Sequence, residues 1–356
     1  MRMLLGDLSG RVRAEVIEGR IGDVTWRLNE SGSATLRVKR GSAAFAREIL
    51  EPGARLYVEF DNGLPAWGGV LDLPRKWSPG MVEIRAYTIE RLLQFQITTK
   101  TRGFYGEVAG GIFSKVLGEA DSRAAIGITI GTALWMGGGL HYPRYHFRDG
   151  MWCINDSIRK MENCDYRFVS YLDDNRIMFR AELYELLGND KRESVALVEG
   201  ANVARAGLTE QGEIVNRVAV VGSGATWGER PVVVGREEAS RALYGLREGM
   251  IAPSDVTQTP TMNRYAENAI RESAYPHALA ALTVADVRPA RFADYDVGDI
   301  VRVILPSLGF DGYDAPMRIV ARGFDPWSGV CELVCDERFE YVPILQGEDE
   351  NEPGEE

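Results

Sequence analysis

A chain of 356 residues, 45% of them hydrophobic, is long enough for two to four packed modules, and its composition predicts a soluble globular protein. The formal net charge is -11; the stretch from Gly347 to Glu356 holds six acids and no base, leaving about -5 elsewhere, a balance that disfavours gripping a phosphate backbone through Lys and Arg. No apolar stretch approaches the roughly 20 residues that span a bilayer, and a charge interrupts the start at Asp7, so neither a membrane anchor nor an export signal is expected.

The first module, 1–97, alternates apolar and polar residues in Arg11 to Ile17, Asp23 to Asn29, Ser33 to Lys39 and Arg55 to Phe60. That period belongs to strands with one buried and one wetted face. Trp67 to Leu73 and Met81 to Tyr87 continue the series. Turn residues separate the strands at Gly19 to Gly22, Asn29 to Gly32 and Asp61 to Gly63, where Asn62-Gly63 is a strong hairpin signal. Only Phe45, Ile49 and Leu50 fall at helical spacing. Short antiparallel strands at this density predict a small barrel or sandwich.

The period changes in 98–202. Val108, Ile112 and Val116 recur every four residues, which predicts a helix ending near Gly118. A second helix is expected from Gly150 to Asn163, capped by Asp149, with Met151, Ile154, Ile158 and Met161 on one stripe. Tyr166 to Tyr171 and Arg176 to Arg180 then read as a hairpin, making an α+β module. Strands resume over 203–235 and 284–343, the second β-barrel, with Glu213 to Val221 and Arg230 to Gly235 in its first part. A helical insertion occupies 236–283, where Thr259 caps a helix with Pro260 at its first position. The acidic tail 344–356 has nothing to bury and is expected to be disordered. The fold class is therefore mainly β with α+β: two small antiparallel barrels flank an α+β module, and the second barrel carries the insertion.

Residues that could carry chemistry are sparse. Gly222-Ser223-Gly224 follows a strand, but Trp227 stands where a dinucleotide fingerprint needs a small residue and more strand follows, so a hairpin loop is the better reading. His141, His146, Cys153 and Cys164 match no tetrahedral zinc spacing. His277 has no serine or cysteine motif attached, and Asp173-Asp174 and Glu237-Glu238 point opposite ways as chain neighbours. Cys331 and Cys335 share one face of a strand, too far apart for a disulfide, and are expected as reduced, buried thiols. No catalytic, cofactor or metal site is expected. The aromatic and glycine run that includes Trp135, Met136, Tyr142, Arg144 and Tyr145 is a candidate protein-contact surface, since aromatics and Arg dominate interfaces. The alternative is a loop that simply covers the α+β module.

Several of these pieces, in this order, resemble the tail-hub or baseplate-hub proteins of long-tailed bacteriophages. They are the Trp67-Gly68-Gly69-Val70-Leu71 turn into a strand, Ile84 to Leu93, the Trp152 to Met161 helix with its hairpin, Asn216 to Gly222, Ser240 with Tyr244-Gly245, the helix holding Ala266 and Ala269, Pro276, and Gly298 to Val303. The resemblance spans about 1 to 343. It implies a homotrimer at the virion's tail tip, assembled in the host cytoplasm, with two similar barrels per subunit in a pseudo-sixfold ring. Implied partners are the tail tube, the distal tail protein, the tape-measure protein and a spike or fibre, with DNA passing through the lumen unheld. Many such proteins continue into peptidoglycan hydrolase or fibre-like extensions, whereas this sequence stops soon after Tyr341, so wall cleavage and receptor binding are not carried over. Two other readings stay open: a wall-degrading or carbohydrate-active enzyme using Asp173, Asp174 and Glu182, and a receptor-binding module using 135–147.

Overall fold

The computed structural model describes residues 1–98, 101–131, 141–224, 226–253 and 256–338. The fold is mainly β, with two seven-stranded sheets, smaller sheets and helices between them.

The first large sheet runs in the order Val12–Glu15, Arg2–Gly6, Arg55–Glu59, Trp67–Ser78, Met81–Tyr87, Ser33–Lys39, Gly19–Gly22. Alternation decides which side chains enter its core. Ala34, Leu36 and Val38 face Ala86, Ile84 and Val82 across the ladder, and all six are buried. The second large sheet runs Ala196–Val198, Ile300–Leu305, Tyr313–Asp325, Val330–Asp336, His277–Ala285, Val203–Gln211. Val301, Val303 and Leu305 are fully buried there, as are Cys331 and Cys335, which carry free thiols on the core face as the period required. Burial pushes the Cys335 thiol up to about 12, so it stays protonated and inert.

Between the two sheets lies the α+β module. The Asp165–Asp173 and Arg176–Tyr184 hairpin is extended by Ile128–Ile130 in parallel pairing with its second strand. Two helical segments contribute to the same apolar core, Ala109–Ala124 through Ile112, Phe113, Val116, Leu117 and Ala120, and Gly150–Ile154 through Met151, Cys153 and Ile154. The first does not end at Gly118. It continues to Ala124 and stops where Ala125 adopts φ 47°, because burying Leu117 and Ala120 outweighs a glycine penalty of about 1 kcal/mol. The second begins as expected, with the Trp152 amide donating to Asp149 at 2.8 Å. From Asn155 to Lys160 it widens into a π-helix, a turn that leaves backbone carbonyls for other partners.

The strands Arg217–Val221 and Val232–Arg236, expected in the second barrel, instead join Glu248–Ile251 in a separate three-stranded sheet. Helix Thr259–Ser273 covers it, burying Met262, Tyr265, Ala266 and Ile270 against Val218 and Val220. Alternation fixes the face a side chain takes and leaves open which sheet a strand joins. The cap of this helix is Gln258, one residue before the expected Thr259. Gly222 and Ser223 lie in the hairpin connection, with their amides donating to Pro231 and Val256.

Candidate functional site

The parts of the chain with the strongest claim to function are those that lock its two β units together. Strand Val24–Arg27 follows Gly19–Gly22, the last strand of the first sheet, yet pairs antiparallel with Ala321 to Phe324 in the second. Asp23, at φ 50°, makes the bend. An edge-to-face series of rings crosses the same junction, Trp26 to Phe60 at 5.6 Å, Phe60 to Phe324 at 5.6 Å and Phe324 to Phe292 at 5.8 Å. Such contacts each add about 0.5–1.5 kcal/mol beyond area burial.

The Asn62-Gly63 turn serves this junction rather than a tight hairpin. It lies in the longer connection between Glu59 and Trp67, and Leu64 enters the core of the second unit. Gly63 has φ 78°, and a Cβ there would stand 2.6 Å from the Cβ of Ala293, so the close approach itself requires glycine. On the far side, the Trp327 indole donates to the Ile21 carbonyl at 3.0 Å while Arg20 stacks 4.6 Å over its ring.

Buried charges tie in the α+β module. The Asp165 carboxylate accepts from Asn29 at 2.7 Å, from Arg159 at 3.1 Å, from the Leu187 amide at 2.8 Å and from Arg318. One carboxylate thus holds the first unit, the module that contains it and the second unit. Arg55, buried, donates to the Ile126 and Ile177 carbonyls across the boundary between the first sheet and the α+β module. Burial lowers its pKa. Arg322, with no exposed surface, donates to the Phe292 and Tyr295 carbonyls at 2.8 and 2.9 Å. A cavity of about 290 Å³ at this junction is lined by Trp26, Glu90, Arg167, Ser170 and Asp296. Burial pushes the Glu90 carboxyl up to about 7, and its Oε2 has no hydrogen-bond partner.

A second joint attaches the 259–273 helix. The Tyr265 hydroxyl donates to Asp156 at 2.8 Å, and the Asn268 amide donates to the Lys160 and Met161 carbonyls, both at 2.9 Å. These carbonyls lie at the end of the π-helix. Burial raises the Asp156 pKa, and the Tyr265 hydrogen bond works against that rise.

The expected contact residues separate. Tyr145 is core, packed edge-to-face on Phe104 at 5.7 Å and Trp152 at 5.6 Å, so it is not offered to a partner. Arg144 is exposed and Tyr142 half-buried; Trp135 and Met136 lie outside the described residues, as does the acidic tail.

The acids of the enzyme alternative do not converge. Asp173 and Asp174 sit at the hairpin tip, whereas Glu182 pairs with Arg167 six residues along, about 20 Å away, and is held by Arg167, Arg180 and Tyr184. His141 bonds Glu162 and His146 bonds Thr101, and among the described residues no group of three or more His, Cys, Asp or Glu is placed to hold a metal ion. Sequence reasoning passed over Asp165, Arg318 and Arg55. The one signal for such residues is an Arg in phase with apolar neighbours, as Arg322 is with Phe324.

No protein-family model and no curated protein matches the sequence. Solved structures do match along nearly the whole length. Prophage tail protein gp18 from Listeria monocytogenes EGD-e is 13% identical with a TM-score of 0.59, the match covering 96% of each chain. The prophage MuSo2 43 kDa tail protein from Shewanella oneidensis is 14% identical with a TM-score of 0.59, over 96% of this chain and 100% of that one. A tail protein from Neisseria meningitidis MC58 is 12% identical with a TM-score of 0.60, over 94% and 96%. The chain thus has the fold of these tail proteins.

Proposed function

We propose that this chain is a structural hub at the tip of a phage or phage-like tail: a homotrimer whose six β units form a pseudo-sixfold ring around the DNA passage. The observation that carries the reading is a repeat within the chain. The order Arg55–Glu59, Trp67–Ser78, Met81–Tyr87, Ser33–Lys39, Gly19–Gly22 recurs as Ile300–Leu305, Tyr313–Asp325, Val330–Asp336, His277–Ala285, Val203–Gln211, antiparallel at every step. Two like units per chain let three chains present six, which is how a threefold tip meets a sixfold tube. Head-to-tail contacts that close on themselves are the matching symmetry.

In this reading 1–97 supplies one ring unit and 196–211 with 277–336 the other, while the α+β module and the separate sheet with its helix, 217–273, brace them. The tail tube, distal tail protein and tape-measure protein meet one side and a spike or fibre the other. A mildly acidic body lets DNA slide by without being held. The chain acts through assembly geometry and carries out no bond chemistry. Among the described residues of the aromatic run, Arg144 and Phe147 are exposed and Tyr142 half-buried, and this is the surface it offers a neighbour.

Native mass spectrometry of the purified protein and imaging of intact tails test the proposal together. Three copies on the tail axis are expected. A single copy off any symmetry axis would end it.

A further inference from the structure

In the second sheet one edge of Tyr313–Asp325 is shared by two strands, Ile300–Leu305 along Tyr313 to Arg318 and Val24–Arg27 along Ala321 to Phe324. The matching strand of the first sheet, Trp67–Ser78, has only the first of these. Arg55–Glu59 pairs with Trp67 to Val70, and among the described residues no strand pairs with that edge from Leu73 to Ser78. Aligning the hairpins by their closing pairs, Ser78 with Met81 and Asp325 with Val330, puts Arg75 to Trp77 where Arg322 to Phe324 stand; before Arg75 the ladder is bulged at Leu73 and Pro74. Leu73 and Trp77 are 59% and 62% exposed there.

The filling strand has a counterpart as well. Gly22 lies opposite Thr35, and Thr35 opposite Arg85; Gly207 lies opposite Ala281, and Ala281 opposite Val334, the same step of the other sheet. After Gly22 the chain bends away and joins the other unit. After Gly207 it runs on to Gln211, paired with Ala280 to His277 on one side and with no described strand on the other. We propose that Leu208 to Glu210 of one copy pairs antiparallel with Arg75 to Trp77 of a second copy. The contact repeats between chains what Val24–Arg27 makes with Ala321 to Phe324 within one chain.

With Asp23 counted as the extra residue of the bend, which keeps the buried Val24 in phase with the core-packed Leu208, the register carried over sets Leu208 opposite Trp77, Thr209 opposite Lys76 and Glu210 opposite Arg75. An apolar pair and an opposite-charge pair are the cross-strand partners that stabilise a ladder. The wider charge agrees, since Glu210 and Glu213 fall in a stretch without a base and meet Arg75 and Lys76. Pro74 and Lys76 discourage indiscriminate pairing at an open edge, so the complementary strand is selected.

This inference rests on the ring reading, and one experiment separates the two. Lys76→Cys with Thr209→Cys places two exposed thiols face to face across the new ladder, while the four native cysteines are buried. Mild oxidation, or a short thiol-to-thiol crosslinker, is followed by a denaturing gel without reductant, beside the native mass of the unmodified protein. Covalent trimers and nothing larger are expected, with no trimer from either single-cysteine variant. A native trimer that yields no crosslink overturns the paired edge and leaves the ring standing. A crosslinked ladder running beyond three supports the edge and overturns the closed ring; a monomer with no crosslink overturns both.

Discussion

Asp165 and Arg318 form an ion pair in the interior, with side chains 1% and 7% exposed, at the point where both β units and the α+β module meet. Asp165→Ala would leave the guanidinium buried without its counter-charge. Breaking a buried pair from one side costs about 3–5 kcal/mol. The urea midpoint of Asp165→Ala is expected to fall accordingly, with Asp165→Asn falling less because it still offers an oxygen to the Leu187 amide. A midpoint unchanged in both would remove Asp165 from the junction's stability.

Glu90 gives the protein a pH dependence of calculable sign. Its folded pKa is raised by burial from 4.5 to about 7, so the folded state holds a proton that the unfolded chain has already lost between those values. Stability contributed by the neutral carboxyl is complete below about 4.5, declines as pH rises, and is gone above 7, a change on the order of 3 kcal/mol. Glu90→Gln should therefore melt higher than wild type at pH 8 and close to it at pH 4.5. Equal melting differences at both pH values would contradict the assignment.

Tyr265→Phe removes the hydroxyl that donates to Asp156 at 2.8 Å while keeping the ring in its apolar cluster. Leaving a buried carboxylate short of a donor costs about 1–3 kcal/mol. Hydrogen exchange is expected to accelerate in 259–273 and 155–160 together, with the large sheets unaffected. Exchange confined to one of the two segments would show that this bond does not join them.

Val58 and Val301 have no exposed surface in the first and second units. Val58→Asp or Val301→Asp places an unpaired charge in a core and should abolish soluble folded protein. Normal yield and unchanged melting of both would contradict the inward assignment of these positions.

The faces of the strands were open to sequence reasoning, and their partners were not. Leu36, Ile84, Val303 and Cys335 all point inward as alternation requires, because period two is a local property of the chain. Val24–Arg27 alternates equally well, yet nothing local says that it leaves its own sheet for Ala321 to Phe324. Asn62-Gly63 was legible as a turn, while its packing against Ala293 depends on a residue far away in sequence. Asp165 and Arg318 carry no local signal in the sequence because their burial exists only once the modules meet. Tyr145, taken for a contact residue by its aromatic company, is core for the same reason: the rings that enclose it, Phe104 and Trp152, come from other segments.

The pairing of Thr25 with Gly323 joins positions roughly 300 residues apart, and closing a loop of that length must precede any reward from the ladder. A nascent chain on the ribosome therefore carries the Val24–Arg27 strand without a partner until Ala321 to Phe324 have been made. Translation that halts before residue 321 leaves that strand, and the rings of Trp26 and Phe60 beside it, without Phe324 to cover them. Emergence of the Tyr313–Asp336 hairpin is thus the step that seals the first unit, so products truncated before it should aggregate rather than persist as a folded N-terminal half.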